Sequence, residues 1–306
     1  MASAVRFDRY GGLEVLYIAE VEVPSPSNGE VLVEVRAAGT NPGEAAIREG
    51  LMDSTSPAKF PSGQGSDLAG VVSQVGDDVV RFGPGDEVLG WSFGRSSQAD
   101  YVVVPAEQLI LKPPSLSWAV AGALYAVGVT AYATVRAVGA RSGDTVVVSS
   151  AAGGVGSVAV QLLRNRGANV IGIASVPNHE WLRSVGANPV AYGAGLADRI
   201  QAMAPSGVDA LIDTFGNGYV DLAIQLGVVP DRIDTTIAFE AAKKFGAKTE
   251  ASLEASTTEV LEEMADLVVS GAINVPIAAT YRLDQVQEAY RELEKRHTHG
   301  KIVLIT

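Results

Sequence analysis

The spacing of apolar residues changes partway along the chain. Up to about residue 112 they fall in short β-prone runs, Val31–Val35, Leu68–Val75, Glu87–Leu89 and Tyr101–Val104. Turn signals such as Ser27-Asn28-Gly29 and Gly83-Pro84-Gly85-Asp86 separate them, and this pattern predicts a β-rich domain. From about Leu116, extended and helical segments alternate. Strands are predicted at Thr145–Ser149, Asn169–Ala174, near Val190 and at Val208–Asp213, with helices at Gly154–Arg166, His179–Val185 and Tyr219–Leu226. Such alternation predicts an α/β doubly wound parallel sheet. Thr257–Ser270 is an amphipathic helix with Leu261, Met264, Ala265 and Val268 on one face, and Leu283–Lys295 is another. Lys301–Thr306 is a final strand, expected to return to the first domain.

The segment Thr145 to Ser175 reads strand, glycine turn, helix, strand. Its turn is Ala151-Ala152-Gly153-Gly154-Val155-Gly156. Gly153 lets the backbone approach a pyrophosphate, Gly156 lets the helix pack on the strand, and the free N–H groups at the helix start hold the anion. Ala151 stands where the usual dinucleotide fingerprint has its first glycine, so the turn has to tolerate a methyl group. The strand–turn–helix–strand context favours a dinucleotide site over the alternative, a plain βαβ crossover with no ligand.

The tip of the second strand bears on which dinucleotide. An NAD site places Asp or Glu there to bind the ribose 2′-hydroxyl. Here the strand runs out at Ala174-Ser175, followed by Val176-Pro177-Asn178-His179, and no carboxylate comes before Glu180. Ser175 and Asn178 would not repel a 2′-phosphate, which favours NADP(H). Arg183 and His179 are the nearest candidates for its positive partner, with a solvated helix face as the alternative for Arg183.

Composition narrows the rest. The 306 residues suggest two domains, and 47% hydrophobic with 19% charged residues fits a large core. A net charge of −12 argues against nucleic acid or an anionic membrane as partner. With no cysteine, disulfides and thiolate metal sites are excluded. Trp118 to Val135 carries no charge, but it is at the lower limit for a membrane span and reads as a buried helix. Arg6, Asp8 and Arg9 interrupt the N-terminus where a secretory signal would be apolar. A soluble cytoplasmic protein is expected.

Several ordered stretches carry a further resemblance: AVRFDRYGG, EVLVEVRAAGTNPGEAAIREG from Glu30, GQGSDLAGVVSQVGDDVVRFGPGDEVLG from Gly63, YVVVP, AAGGVGSVAVQLL and GKIVLI. Together they make the chain similar, over essentially its whole length, to the zinc-free quinone oxidoreductase branch of the medium-chain dehydrogenase/reductase superfamily. The resemblance implies a GroES-like catalytic domain (1–112 and 277–306) and a Rossmann domain (113–276). It also implies NADPH-dependent reduction of a quinone or an α,β-unsaturated carbonyl. A homodimer through an edge strand of the Rossmann sheet would be typical. Zinc-dependent relatives use Cys, His and Glu ligands. This chain has only His179, His297 and His299 and no cysteine, so the ligand inventory excludes both of the family's zinc sites.

The resemblance also implies roles for particular residues. Asn41 matches a position near the nicotinamide ribose, where an amide can meet a ribose or a substrate carbonyl. Thr130 in GVTAY matches a Thr beside the carboxamide, and Tyr192 a Tyr near the adenine ribose. Phe215, in Asp213-Thr214-Phe215-Gly216, follows a strand at the sheet's carboxyl edge. Ile237 and Ala238 border the nicotinamide. Gly300 and Lys301 carry the terminal cofactor contact, and His299 stands where relatives often have Arg. Relatives often have Asp near Glu44 and Tyr or Lys near Ala45 or Ala46, and Pro where Tyr125 stands. Tyr125 could therefore supply a hydroxyl, with buried packing or protonation by water as alternatives. The small Ala45 and Ala46 suggest a roomy acceptor pocket. Two other functions stay open. One is a non-catalytic NADP(H)-binding or sensing protein. The other is an enoyl reductase acting on a carrier-bound intermediate, which the acidic surface disfavours because carriers are acidic too.

Overall fold

The computed structural model describes all 306 residues. Packing divides them into two units. One comprises Met1–Ala126, Thr257–Val269 and Ile277–Thr306, and the other Val127–Ser256 and Ser270–Pro276.

The first unit opens with β1 (Ala2–Phe7), β2 (Tyr17–Val21), β3 (Glu30–Gly39), α1 (Pro42–Arg48), β4 (Ser62–Gly63), β5 (Asp67–Val75), β6 (Glu87–Trp91), β7 (Tyr101–Pro105) and β8 (Leu109–Leu111). Helix α2 (Trp118–Ala137) starts here and ends in the second unit. By length and composition α2 could cross a membrane, but 72% of its apolar window is buried inside the protein, the mark of a core helix.

The second unit contains β9 (Thr145–Val148), α3 (Gly154–Asn165), β10 (Asn169–Ile173), α4 (His179–Ser184), β11 (Asn188–Val190), α5 (Leu196–Met203), β12 (Ala210–Asp213), α6 (Tyr219–Gln225), β13 (Ile233–Thr235) and α7 (Phe239–Phe245). The chain then gives α8 (Thr258–Val269), β14 (Ile277–Arg282), α9 (Val286–Glu294) and β15 (Lys301–Ile305) to the first unit.

In the second unit all strand pairs are parallel, in the order β11-β10-β9-β12-β13. The chain winds outward from β9 in one direction and from β12 in the other, so the order reverses between β9 and β12. Helices cover parallel sheets, which makes their strands apolar throughout. Thr145-Val146-Val147-Val148 obeys this, with its three valines wholly buried. Expected strand Val208–Asp213 is shortened to Ala210–Asp213, because Asp209 is held by its own groups: its N–H donates to Thr145 O and its carboxylate accepts from Thr145 N at 2.7 Å. Helices α1, α5 and α7 and strands β1, β2, β4, β8 and β14 have no counterpart among the expected elements.

The first unit holds a three-stranded sheet, β2-β1-β4, and a seven-stranded one, β14-β15-β3-β5-β6-β8, with β7 also pairing to β3. Strand β15 does return to this unit. It lies antiparallel to β3, with Val303 opposite Gly39, and parallel to β14. One core cluster unites Val5, Phe7, Leu16, Ala45, Tyr290, Ile302 and Leu304. Ala45 is buried in this core, so its small side chain serves packing there.

Candidate functional site

In the second unit the glycine turn follows β9 directly. Ser149 is fully buried, and Ser150 takes a left-handed φ of 46° that turns the chain toward α3. A Cβ on Gly156 would lie 2.2 Å from the Ser150 carbonyl oxygen, so glycine is what lets the first turn of α3 sit on the strand end. The extra methyl at Ala151 is accommodated by another glycine, since a Cβ on Gly172 of β10 would meet the Ala151 Cβ at 2.9 Å. Helix α3 begins from Gly153, and no side chain caps it. The first-turn N–H groups of Gly154, Val155 and Gly156 thus face outward with the positive end of the helix dipole, the arrangement that binds a phosphate. The local geometry fits a pyrophosphate.

Asp213 organises the neighbouring strand ends. Its buried carboxylate accepts from Ser149 Oγ at 2.7 Å, from the N–H groups of Phe215 and Gly216 at 3.0 and 2.9 Å, and from Thr235 Oγ1 at 2.9 Å. The Thr235 hydroxyl in turn accepts from the N–H groups of Ile237 and Ala238. The carboxyl ends of β9, β12 and β13 are joined at the reversal of strand order, where ligands bind in open α/β sheets. Phe215 packs edge-on to Tyr219, whose hydroxyl is pushed up by burial, with Asp213 and Tyr192 adding to the shift. Tyr192 and Ile237 are exposed.

At the tip of β10, the Asn178 side chain donates to Ser175 Oγ at 3.1 Å. His179 is turned back, with Nε2 at 3.2 Å from Ala174 O. Arg183, on α4, is exposed and forms no ion pair. Thr130 is buried on α2.

In the first unit, Asn41 and Glu44, at the start of α1, form a polar cluster with Asp67, Gln98, Tyr290 and Lys301. Asn41 caps α1, and its N–H donates to Glu44 Oε2 at 3.1 Å. Its Nδ2 donates to Glu44 Oε1 and to Asp67 Oδ2, both at 3.0 Å, while its Oδ1 accepts from Lys301 Nζ at 2.6 Å. Lys301 also donates to Thr40 O at 3.0 Å and to Asp67 Oδ2 at 2.9 Å. Glu44 further accepts from Ser66 N at 2.7 Å, from Tyr290 Oη at 2.6 Å and from Gln98 Nε2 at 3.4 Å. Burial pushes the Glu44 carboxyl up, opposed by the Tyr290 and Asn41 donors. Burial, with Glu44 adding to it, raises Tyr290 well above the usual phenol range. A Cβ on Gly39 would sit 2.4 Å from Asp67 Oδ2, so this cluster also depends on a glycine for room.

The amide orientation of Asn41 follows from its partners. Its NH₂ faces two carboxylates and its oxygen faces an ammonium; the flipped amide would reverse every pairing. Both N–H bonds are used, and one lone pair on Oδ1 is left over. Asn41 can accept one more hydrogen bond and donate none.

Tyr125 is buried and stacked on Trp91, with ring centroids 4.9 Å apart and planes 11° from parallel. Trp91 lies opposite Asp67 across β5 and β6, and Asp67 Oδ1 accepts from Ala126 N at 2.6 Å. His299 is half-buried, and burial holds its imidazole below the usual range.

The sequence singles out Asn41 and Lys301 but does not show their bonds to Glu44 and Asp67, the bonds of Gln98 and Tyr290 to Glu44, or the linking role of the Asp213 carboxylate. A capping-box spacing, Asn41-Pro-Gly-Glu44, was the available signal for Glu44. An acidic residue opening the apolar run Asp67-Leu-Ala-Gly-Val-Val was the signal for Asp67.

Residues 27–114 match the alcohol dehydrogenase GroES-like domain family, and residues 185–304 match a family described as zinc-binding dehydrogenase. The quinone oxidoreductase of Rattus norvegicus is 30% identical over 98% of this chain and 95% of its own length. Among solved structures, the quinone oxidoreductase from Coxiella burnetii superposes with a TM-score of 0.89 at 28% identity, covering 100% of this chain and 99% of that one. The Escherichia coli quinone oxidoreductase complexed with NADPH gives a TM-score of 0.86 at 26% identity, over 99% and 100% of the two chains. A zinc site does not fit the side chains here: there is no cysteine, and nowhere do three His, Asp or Glu residues converge. On sequence and fold together, the chain belongs to the medium-chain dehydrogenase/reductase superfamily and is an NAD(P)H oxidoreductase of that family.

Proposed function

We propose that this protein is an NADPH-dependent reductase of quinones or α,β-unsaturated carbonyls that works without zinc. The uncapped start of α3 behind the glycine turn, with no carboxylate at the tip of β10, carries the reading. The quinone oxidoreductase relatives, one of them complexed with NADPH, support it.

Bound NADPH supplies a hydride, and a proton completes reduction of the acceptor. The chain's own residues have the following parts. Gly154, Val155 and Gly156 receive the pyrophosphate on free backbone N–H groups, and Gly153, whose own N–H is bonded to Ser150 O, lets the backbone approach it. Ser175 and Asn178 leave space and hydrogen bonds for the 2′-phosphate, with Arg183 as its countercharge. Tyr192 serves the adenine ribose. Asn41, with one acceptor lone pair to spare, takes a hydrogen bond from a ribose hydroxyl and does not polarise a substrate carbonyl. Thr130, Phe215, Ile237 and Ala238 border the nicotinamide, and His299 flanks the cofactor. Tyr125, held flat against Trp91, is the proton donor of this scheme. An acceptor that is already electrophilic needs alignment and one donor, and neither requires a metal ion.

The test is loss of reduced-nicotinamide absorbance against a panel of quinones and enones, with NADPH and NADH in parallel. Turnover faster with NADPH supports the proposal. Faster turnover with NADH overturns the cofactor preference and keeps the chemistry. Tight NADPH binding without turnover would point to a sensing protein.

A further inference from the structure

Lys301 has three ammonium protons and three acceptors within hydrogen-bond reach: Thr40 O, Asn41 Oδ1 and Asp67 Oδ2. It is buried, at 3% exposure. Nothing is left to bind an anion, although the residue lies in the stretch where the resemblance places a cofactor contact. We infer that Lys301 is a positioning residue that acts on the cofactor through Asn41, without touching it. The inference rests on the NADPH reading proposed above.

The cluster explains the need for it. Glu44 and Asp67 bring two carboxylates into the interior, and buried carboxylates call for compensation. Lys301 is the cation that bonds Asp67, at 2.9 Å, and its charge also favours an ionised Glu44. It neutralises Asp67 while fixing the Asn41 oxygen from the opposite side to the two carboxylates. Asn41 is thereby held on three sides: Glu44 and Asp67 grip its nitrogen, and Lys301 its oxygen. Without the ammonium, the amide loses its oxygen-side anchor, Asp67 becomes an uncompensated buried charge, and the remaining Oδ1 lone pair no longer points in a fixed direction. The loss should appear as weaker cofactor binding, equal to the loss of Asn41 itself.

A double-mutant cycle on Asn41→Ala and Lys301→Met, read by NADPH fluorescence titration, tests this. Each single substitution should weaken NADPH binding about tenfold, the value of one hydrogen bond, and the double substitution no more than either alone. The KM for NADPH should rise with kcat within about twofold, as for lost binding that is uniform through the reaction. Methylammonium should restore affinity to Lys301→Ala and have no effect on Asn41→Ala. If Lys301→Met does not fold, Lys301→Gln takes its place in the same cycle. Losses that multiply in the double variant mean that Lys301 meets the cofactor directly and overturn the inference. Wild-type protein that binds no NADPH overturns the cofactor reading itself, and the inference falls with it.

Discussion

Asp213 Oδ1 lies 2.7 Å from Ser149 Oγ, joining the carboxyl ends of β12 and β9 where the strand order reverses. All four hydrogen bonds to this carboxylate are accepted ones, from Ser149, Phe215, Gly216 and Thr235. In Asp213→Asn one oxygen becomes an N–H donor facing another donor. Leaving a buried donor unpaired costs about 1–3 kcal/mol, so the melting temperature should fall. NADPH affinity should fall with it, because Ser149 adjoins the turn proposed to hold the pyrophosphate. A variant with unchanged melting and NADPH affinity would deny Asp213 this role.

The two glycines of the turn should respond differently to alanine. At Gly156 the added Cβ meets backbone, Ser150 O at 2.2 Å and Ala151 Cα at 3.0 Å. At Gly153 it meets first the Ser150 hydroxyl at 2.7 Å, which can rotate away. Gly156→Ala should therefore cost about 1–3 kcal/mol, the usual range for overpacking, and should weaken NADPH binding sharply. Gly153→Ala should cost clearly less. Urea unfolding and NADPH titration of both variants measure the contrast, and equal losses would contradict it.

The difference between what the sequence reveals and what it hides is one of distance along the chain. The glycine turn was readable because its strand, turn and helix are contiguous and each local rule points to the same structure. The doubly wound parallel sheet followed from the same alternation, whereas the strand order, with its reversal between β9 and β12, is set by pairings the alternation does not specify. The cluster at Asn41 was not readable in this way. Tyr290 and Glu44 are 246 positions apart, and only the return of β15 to β3 brings Lys301 to Asn41. The burial of Ala45 in the Phe7 and Tyr290 core was hidden for the same reason, since its neighbours there are distant in sequence.

Ser175 tests the cofactor preference. Its hydroxyl faces Asn178, no carboxylate occupies the strand tip, and Arg183 stands exposed without an ion pair. Ser175→Asp places a negative charge where the 2′-phosphate is proposed to lie. Like charges at contact distance disfavour binding, and a carboxylate there suits the 2′-hydroxyl of NADH. The ratio of kcat/KM for NADPH to that for NADH should drop at least about tenfold, or about 1.4 kcal/mol. Arg183→Ala should lower the same ratio through NADPH alone. A ratio unmoved by Ser175→Asp would place the 2′-phosphate elsewhere.

Asp234 should make stability depend on pH near neutrality. It is fully buried on β13, with Oδ1 accepting from Glu250 N at 2.8 Å and Oδ2 buried without a partner. Burial pushes its carboxyl up from 3.8 to about 7; Glu250 and Glu254 add to the shift, and Lys248 and the Glu250 N–H oppose it. Folding therefore favours the protonated form. Its stabilising contribution is complete below the unfolded value near 3.8 and is lost as pH rises through about 7. Between about pH 5 and pH 8, wild-type protein should lose on the order of 3 kcal/mol from this group. Asp234→Asn is neutral at every pH and should remove that slope, leaving the variant more stable than wild type at the alkaline end. Urea denaturation of both proteins at the two pH values measures the difference. Parallel pH profiles would show that Asp234 stays ionised in the folded protein despite its burial.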